Sequence, residues 1–256
     1  MNPVIIRNIT IGKGRPKICV PITGQTAEEI LTEAESFPSL PADLAEWRAD
    51  WYEDVFDMEK LLGTGRALRK ALGEIPLLFT FRTKAEGGEK EISDEQYQIL
   101  NTAMAESGHA DLIDVEIFSK ETVAEKIISA AHENNVKIVG SNHNFHTTPS
   151  QGEIVKRLCH MRNAGADIPK IAVMPQSEQD VLTLLSATLE MSRQHADCPI
   201  ITMSMAKTGL ISRLAGETFG SAVTFGAASK ASAPGQIGVK ELAQALDIIH
   251  GSLRDY

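Results

Sequence analysis

The chain has little that would suit it to nucleic acids or membranes. Its 256 residues carry 25 Lys and Arg against 34 Asp and Glu, a net charge of −9. A nucleic-acid footprint needs a basic face, which this balance argues against. A small anion held by a few local arginines stays within reach. No apolar run approaches the ~20 residues that span a bilayer, and the apolar stretch within Met1–Arg7 is too short for a secretory leader. Cysteine is scarce: Cys19, Cys159 and Cys198 are scattered and have no CxxC spacing. Neither a disulfide framework nor a zinc site is supported, and the three read as reduced core thiols of a cytoplasmic protein. His143 and His146 lie three apart without a third ligand, so no metal site is expected. Gly/Ser linkers, Pro-rich linkers and low-complexity tracts are missing too, which points to one domain over residues 1–256. The first turn, 21–25 (Pro-Ile-Thr-Gly-Gln), lacks the glycine fingerprint of an open doubly wound sheet.

What the chain does have is a rhythm. Residues 4–11 read as a small hairpin around Arg7-Asn8. Apolar strand-like runs follow at 17–22, 44–48, 77–82, 110–116, 136–143, 168–174, 199–205 and 222–226. Helical patterns lie between them, from Thr26, an N-cap with Glu28 and Glu29 behind it, and from Ser93, in capping-box spacing with Gln96. Others cover 57–72, 120–134, 150–164, 177–195, 209–219 and 239–253, with Asn134-Asn135, Gly165 and Gly220 as stops. Alternating strands and helices imply a parallel sheet. Eight such units in about 250 residues predict an α/β fold, a closed (β/α)₈ TIM barrel.

In such a barrel active sites form at the C-terminal ends of the strands. The unusual polar residues fall there: Glu46 and Arg48, Arg82 with Glu86 in the loop behind it, Asp114 and Glu116, His143, and Lys170. So many charges meeting at one mouth are hard to justify as stability alone. Lys170 is the focus. The run 168–174 is apolar except for it, too short for a helix, and reads as a buried parallel strand. Strand alternation puts Lys170, Ala172 and Met174 on one face and Ile171 and Val173 on the other. A lysine there is either a structural ion pair or an amine held for chemistry. A free lysine has a pKa of ~10.4; burial and the cations Arg48, Arg82 and Arg213 are expected to lower it towards ~7–8. A neutral amine adds to a ketone or aldehyde, and the protonated imine is an electron sink for the neighbouring carbon. The base that takes the α-proton is expected to be His143, the histidine at a strand end, with Glu86 orienting it.

Motifs along nearly the whole chain then carry a resemblance. They are Glu46-Trp47-Arg48, Phe79-Thr80-Phe81-Arg82 with Glu86-Gly87-Gly88, Ser141-Asn142-His143 with Phe145, and Ile168-Pro169-Lys170-Ile171-Ala172. Met203-Ser204-Met205, Ser212-Arg213 and Ala231-Ser232-Ala233-Pro234-Gly235-Gln236 complete the set. Together they resemble the type I 3-dehydroquinate dehydratases of the shikimate pathway. The resemblance implies a barrel that is usually a homodimer, without metal or organic cofactor. It implies syn elimination of water from 3-dehydroquinate, a small anionic substrate, to give 3-dehydroshikimate. By resemblance Lys170 forms the imine at the C3 ketone, His143 moves the C2 proton and protonates the leaving C1 hydroxyl, and Glu86 pairs with His143. Arg213 holds the carboxylate; Glu46, Arg48 and Arg82 hold hydroxyls and shape the pocket. Met203, Phe145, Phe225 and Ala233 form apolar walls, and Ser232 and Gln236 belong to a closing loop.

The chain departs from the family pattern at two places. It has Asn144 where relatives commonly have aspartate, and Pro21 where they often have serine. If that aspartate tunes the histidine or braces its loop, the amide bears on rate and pH profile more than on the reaction. Two other readings use the same residues. An imine-forming aldolase would need phosphate sites at the last two strands, and Ala206-Lys207-Thr208-Gly209 is a weak signal for one. A silent ligand-binding relative would be expected to lose Lys170 or His143 and to carry a further domain.

Overall fold

The computed structural model describes residues 2–118, 121–228 and 234–254. Two short antiparallel strands come first, β1 (Val4–Ile6) and β2 (Ile9–Ile11), paired around a turn in which Arg7 has a positive φ. Eight parallel strands follow: β3 (Lys17–Ile22), β4 (Leu44–Arg48), β5 (Leu77–Thr80), β6 (Leu112–Glu116), β7 (Lys137–Asn144), β8 (Ile168–Val173), β9 (Ile201–Ser204) and β10 (Val223–Ala227). They pair in chain order from β3 to β9, and β10 pairs back onto β3. The ring closes between β9 and β10, where Ala222 N donates to Ile200 O at 2.8 Å. A two-residue strand, β11 (Ile237–Gly238), extends beside β10.

Helices cover the outside: α1 (Ala27–Glu35), α2 (Met58–Leu72), α3 (Asp94–Glu106), α4 (Glu121–Glu133), α5 (Gln151–Asn163), α6 (Glu178–Glu190), α7 (Leu210–Leu214), α8 (Gly216–Phe219) and α9 (Val239–Arg254). The (β/α)₈ expectation holds. Thr26 and Ser93 cap α1 and α3 through their hydroxyls, as their positions predict. Two helical expectations were too long. The 177–195 pattern ends as helix at Glu190 and continues as a single π-helical turn, Met191–His195. The 209–219 pattern breaks at Ala215 into α7 and α8, and Gly220 then stops α8 in the left-handed conformation at φ 107°.

Strand alternation divides the core in two. Ile18, Val20, Trp47, Phe79, Ile113, Ile171 and Val173 pack outward against the helices. Cys19, Leu44, Leu78, Leu112, Val139, Ile168 and Ile201 fill the barrel interior, and Val4, Ile6 and Ile11 of the hairpin join them. The hairpin therefore plugs the N-terminal end. One backbone device recurs at this end. A side chain one or two residues before every second strand accepts the first or second N–H of the strand before it: Ile18 N to Asp43 (2.8 Å), Leu77 N to Asp111 (2.8 Å), Ile138 N to Asp167 (2.9 Å) and Thr202 N to Ser221 Oγ (3.0 Å). These pairings keep ladder ends from being buried unsatisfied. Stability thus resides at the plugged end, and the polar residues of the interior lie at the other.

Candidate active site

The open end holds a cavity of about 520 Å³ lined by eleven of the thirteen expected site residues. These are Glu46, Arg48, Arg82, Glu86, His143, Phe145, Lys170, Met203, Arg213, Phe225 and Gln236. Ser232 and Ala233 lie outside the described residues. The inward positions of β4 to β10 build the cavity. Glu46 and Arg48, Asp114 and Glu116, Ser141 and His143, and Lys170 and Ala172 each sit two apart on one strand, so one alternation aims both at the interior.

Lys170 is 3 % exposed. Its Nζ donates to Asp114 Oδ2 at 3.0 Å, stands 3.8 Å from Glu46 Oε1 and lies 4.7 Å from the centre of the Phe225 ring. This corrects one expectation. The groups in contact with the amine are carboxylates rather than arginines, because the arginines are themselves held. Arg48 makes a bidentate pair with Asp50, both bonds at 2.8 Å. Arg82 spans Asp114 (2.7 Å), Glu116 (2.9 Å) and Ser141 (3.0 Å). Asp114 is fully buried; burial alone would raise its carboxyl, but Arg82 and Lys170 hold it well below the usual carboxylate range. Glu116 in turn accepts from the Thr83 amide and hydroxyl, at 2.9 and 2.7 Å. It thereby ties the loop after β5 to β6.

That loop delivers Glu86. A 3₁₀ turn, Lys84–Glu86, ends at Gly87 in the left-handed conformation, φ 84°. A side chain at Gly87 would meet the Phe145 ring at 2.4 Å, and one at Gly88 would strike Arg82 O at 1.9 Å. The two glycines let the loop fold down, so Glu86 is buried rather than a solvated loop residue. Its Oε2 lies 2.9 Å from His143 Nδ1 and accepts the His143 amide at 2.9 Å; its Oε1 accepts from Asn142 at 3.1 Å. Burial, with Glu116 adding to it, pushes the Glu86 carboxyl up to about 8 against the pull of Arg82. Burial pushes the His143 imidazole well down, with Arg82 and Lys170 adding to it. The pair thus presents an uncharged imidazole whose Nε2 has no hydrogen-bond partner among the described residues.

Arg213 differs from the other two arginines. It is 2 % exposed, yet among the described residues it meets no carboxylate. Nη2 donates to Pro234 O at 3.1 Å, Nη1 points at Met203 Sδ at 3.8 Å, and Nε is buried without a partner. Burial alone lowers it to about 10. A buried guanidinium without a counterion is poised for an anion from outside.

Four residues bear on the site without having been expected to line it. Asp114 and Glu116 stood among the polar strand ends and prove to be partners of Lys170 and Arg82. Asp50 holds Arg48 and also accepts the amides of Arg82 (3.4 Å) and Glu89 (3.2 Å). Asn142 sits on the outward face of β7 and still reaches Glu86. The signal for Asp114, Glu116 and Asn142 in the sequence was polarity inside buried strands, and Asp50 lies in the turn just after one, although their partners follow from the fold. Asn144 has a clear place: its Oδ1 accepts the amides of His146 (2.9 Å) and Thr147 (3.0 Å). That is an Asx turn bracing the loop of Phe145, and an amide oxygen serves it as a carboxylate would.

The model of the type I 3-dehydroquinase family matches residues 18–253. The 3-dehydroquinate dehydratase of Listeria monocytogenes serotype 4a is 55 % identical over 98 % of this chain and 99 % of its own length. That of Clostridium botulinum is 53 % identical over 98 % of both chains. Among solved structures, the type I enzyme of Clostridium difficile with covalently modified comenic acid superimposes at TM-score 0.96, with 52 % identity over 98 % of this chain and 99 % of that one. A family model over residues 18–253 and relatives more than half identical over nearly the full length show that the chain belongs to the type I 3-dehydroquinase family.

Proposed function

We propose that this protein converts 3-dehydroquinate to 3-dehydroshikimate and water through an imine on Lys170, as one catalytic domain over residues 1–256. The observation that carries the mechanism is a buried lysine amine at the wall of a cavity shared with the neutral His143 imidazole and the uncompensated Arg213. The covalent comenic acid adduct of the Clostridium difficile relative supports a nucleophile in this fold.

Each group then has a step. Arg213 takes the substrate carboxylate in a fork of two hydrogen bonds. Lys170 loses a proton and adds to the C3 ketone; water leaves, and the iminium forms. His143 removes a C2 proton, the electron pair moves into the enamine, and the C1 hydroxyl departs as water with a proton delivered by the same imidazole. Water then cleaves the imine and restores the lysine. Glu86 holds His143 by Nδ1 and compensates the imidazolium while it exists. Glu46, Arg48 and Arg82 receive the ring hydroxyls, with Met203, Phe145 and Phe225 as apolar walls and Ser232, Ala233 and Gln236 on the covering loop. Lysine supplies the electron sink, so the reaction needs no metal or organic cofactor. A homodimer in the cytoplasm is part of the same reading.

The test is imine trapping. Incubation with 3-dehydroquinate and borohydride, followed by intact mass and peptide mapping, is expected to give a stable adduct on the peptide containing Lys170. Growth of the conjugated enone absorbance without an adduct would discard the imine and keep the dehydration. Neither signal would discard both.

A further inference from the structure

The Glu86–His143 pair is held from outside the pocket. Inward alternation on β7 gives Ser141 and His143 to the cavity and turns Asn142 towards helix α5. Asn142 is 8 % exposed, and both ends of its amide are engaged. Nδ2 donates to Glu86 Oε1 at 3.1 Å, and Oδ1 accepts from Arg157 Nη1 of α5 at 3.1 Å. The arginine cannot accept a hydrogen bond, so it fixes which end of the amide is oxygen. Arg157 is fixed in turn: Nε donates to Glu153 Oε1 at 2.7 Å one helical turn away, and the guanidinium lies 5.9 Å from the centre of the Phe118 ring. The chain Glu153–Arg157–Asn142–Glu86–His143 therefore runs from an exposed helix face to the base.

We infer that Asn142, with its amide oriented by Arg157, is a positioning residue that sets the geometry and the proton balance of the Glu86–His143 pair. The inference rests on the dehydratase reading of this site. Its physical content is simple. Glu86 Oε2 serves the His143 amide and ring, and Oε1 has Asn142 as its hydrogen-bond donor. Without that donor the carboxylate is free to turn about its last bond, and Nδ1 loses its fixed partner. Asn142 also favours the charged form of Glu86, opposing burial and Glu116. The other charges facing the pair are Arg82, 3.6 Å from Glu86, with Asp114, Lys170 and Arg48 around His143. None of them contacts Oε1 or shares the α5 face.

The test uses Asn142→Leu, close in shape but without donor or acceptor, and Arg157→Met, which leaves Asn142 in place but its amide unoriented. For Asn142→Leu the expectation is kcat down at least tenfold and KM within about threefold. The acid limb of the kcat profile should move up by half a pH unit or more, because the carboxyl holds its proton longer. Arg157→Met should move the same two readouts in the same direction by less, and Arg157→Lys should restore part of the loss. Glu153→Gln, which removes the surface charge but keeps an oxygen to accept from Arg157 Nε, should leave the profile in place. Borohydride trapping on Lys170 should persist in all four, since the amine keeps its own partners. An unmoved acid limb in Asn142→Leu, or Glu153→Gln reproducing Arg157→Met, would overturn the inference while the wild type still makes product. A wild type that neither traps nor makes enone would overturn the reading beneath it as well. Should Asn142→Leu fail to fold, the Arg157 pair of variants decides alone.

Discussion

Arg213 offers the most direct separation of function from stability. Among the described residues its buried guanidinium meets no carboxylate, and burial lowers it from the ordinary guanidinium value to about 10. At about 1.36 kcal/mol for each tenfold change in proton affinity, the buried charge costs roughly 3 kcal/mol. The cost is present at every pH below about 10, where the group is charged. Arg213→Met removes the charge and keeps most of the volume. It also gives up the bond to Pro234 O, which is worth about 1 kcal/mol. The variant should therefore gain about 1–2 kcal/mol, a rise in Tm of about 2–8 °C for a domain of this size. Its substrate affinity should fall by about 2–5 kcal/mol, since a charged fork is lost from a dry site. Differential scanning fluorimetry with and without 3-dehydroquinate reads both terms. The wild type should be the less stable protein without ligand and the more stable one with it, by mass action. If Arg213→Met is less stable than the wild type without ligand and still stabilised by it, the uncompensated charge is not what prepares this pocket for an anion.

Other expectations follow from the same geometry. Glu86→Gln should move the acid limb of kcat/KM downward, because the remaining imidazole is held low by burial, Arg82 and Lys170; an unmoved limb would show that Glu86 takes no part in the proton balance, and an upward one would reverse its assigned role. Asn144→Asp, which restores the residue relatives commonly carry, should change kcat and the pH profile by less than about twofold, because Oδ1 still accepts the amides of His146 and Thr147. Asp114 is held below the usual carboxylate range, so its contribution is present above about pH 4 and is lost as the pH falls further. Urea midpoints should show Asp114→Asn less stable by about 3–5 kcal/mol at neutral pH and less steeply acid-sensitive below pH 4. A slope identical to the wild type would reject the Asp114–Lys170–Arg82 cluster as its source.

The barrel was legible because two short periods carry it. Alternation within strands and recurrence of strand and helix are local patterns, and the caps at Thr26 and Ser93 are local chemistry. The helix ends that failed have local causes of another kind. The π-helical turn after Glu190 continues a helical pattern with a different hydrogen bond, which periodicity does not distinguish. The site residues were legible as polar groups in apolar strands, but their partners were not. Arg48 was expected among the cations that neighbour Lys170 and proves to be clamped by Asp50, two residues away in the 3₁₀ turn that follows its strand. Arg82 finds Asp114 and Glu116 on the next strand because of the β5–β6 register, which pairs Thr80 with Asp114. Register is fixed by the closed ring as a whole, so no single stretch of sequence states it.

That difference bears on how the pocket works. Two of the three arginines at the mouth are matched by carboxylates, Arg48 by Asp50 in the turn after β4 and Arg82 by Asp114 on β6, and the lysine is matched by Asp114. A matched charge holds shape, since breaking a buried pair is expensive. The third arginine is unmatched among the described residues, and it comes from α7, a helix of five residues behind β9. Among the described residues an incoming carboxylate thus has Arg213 to find, and the filled pairs around it fix where the rest of the molecule lies. The nucleophile is the exception among the filled pairs, because Lys170 must leave its carboxylates to react. Its Nζ is 3.8 Å from Glu46 and only 3.0 Å from Asp114, so most of the work of freeing it lies with Asp114. Asp114 is already shared with Arg82 and Ser141, at 2.7 and 2.6 Å. Those two donors keep the carboxylate satisfied when the lysine departs into the imine, so the covalent step leaves no bare charge behind.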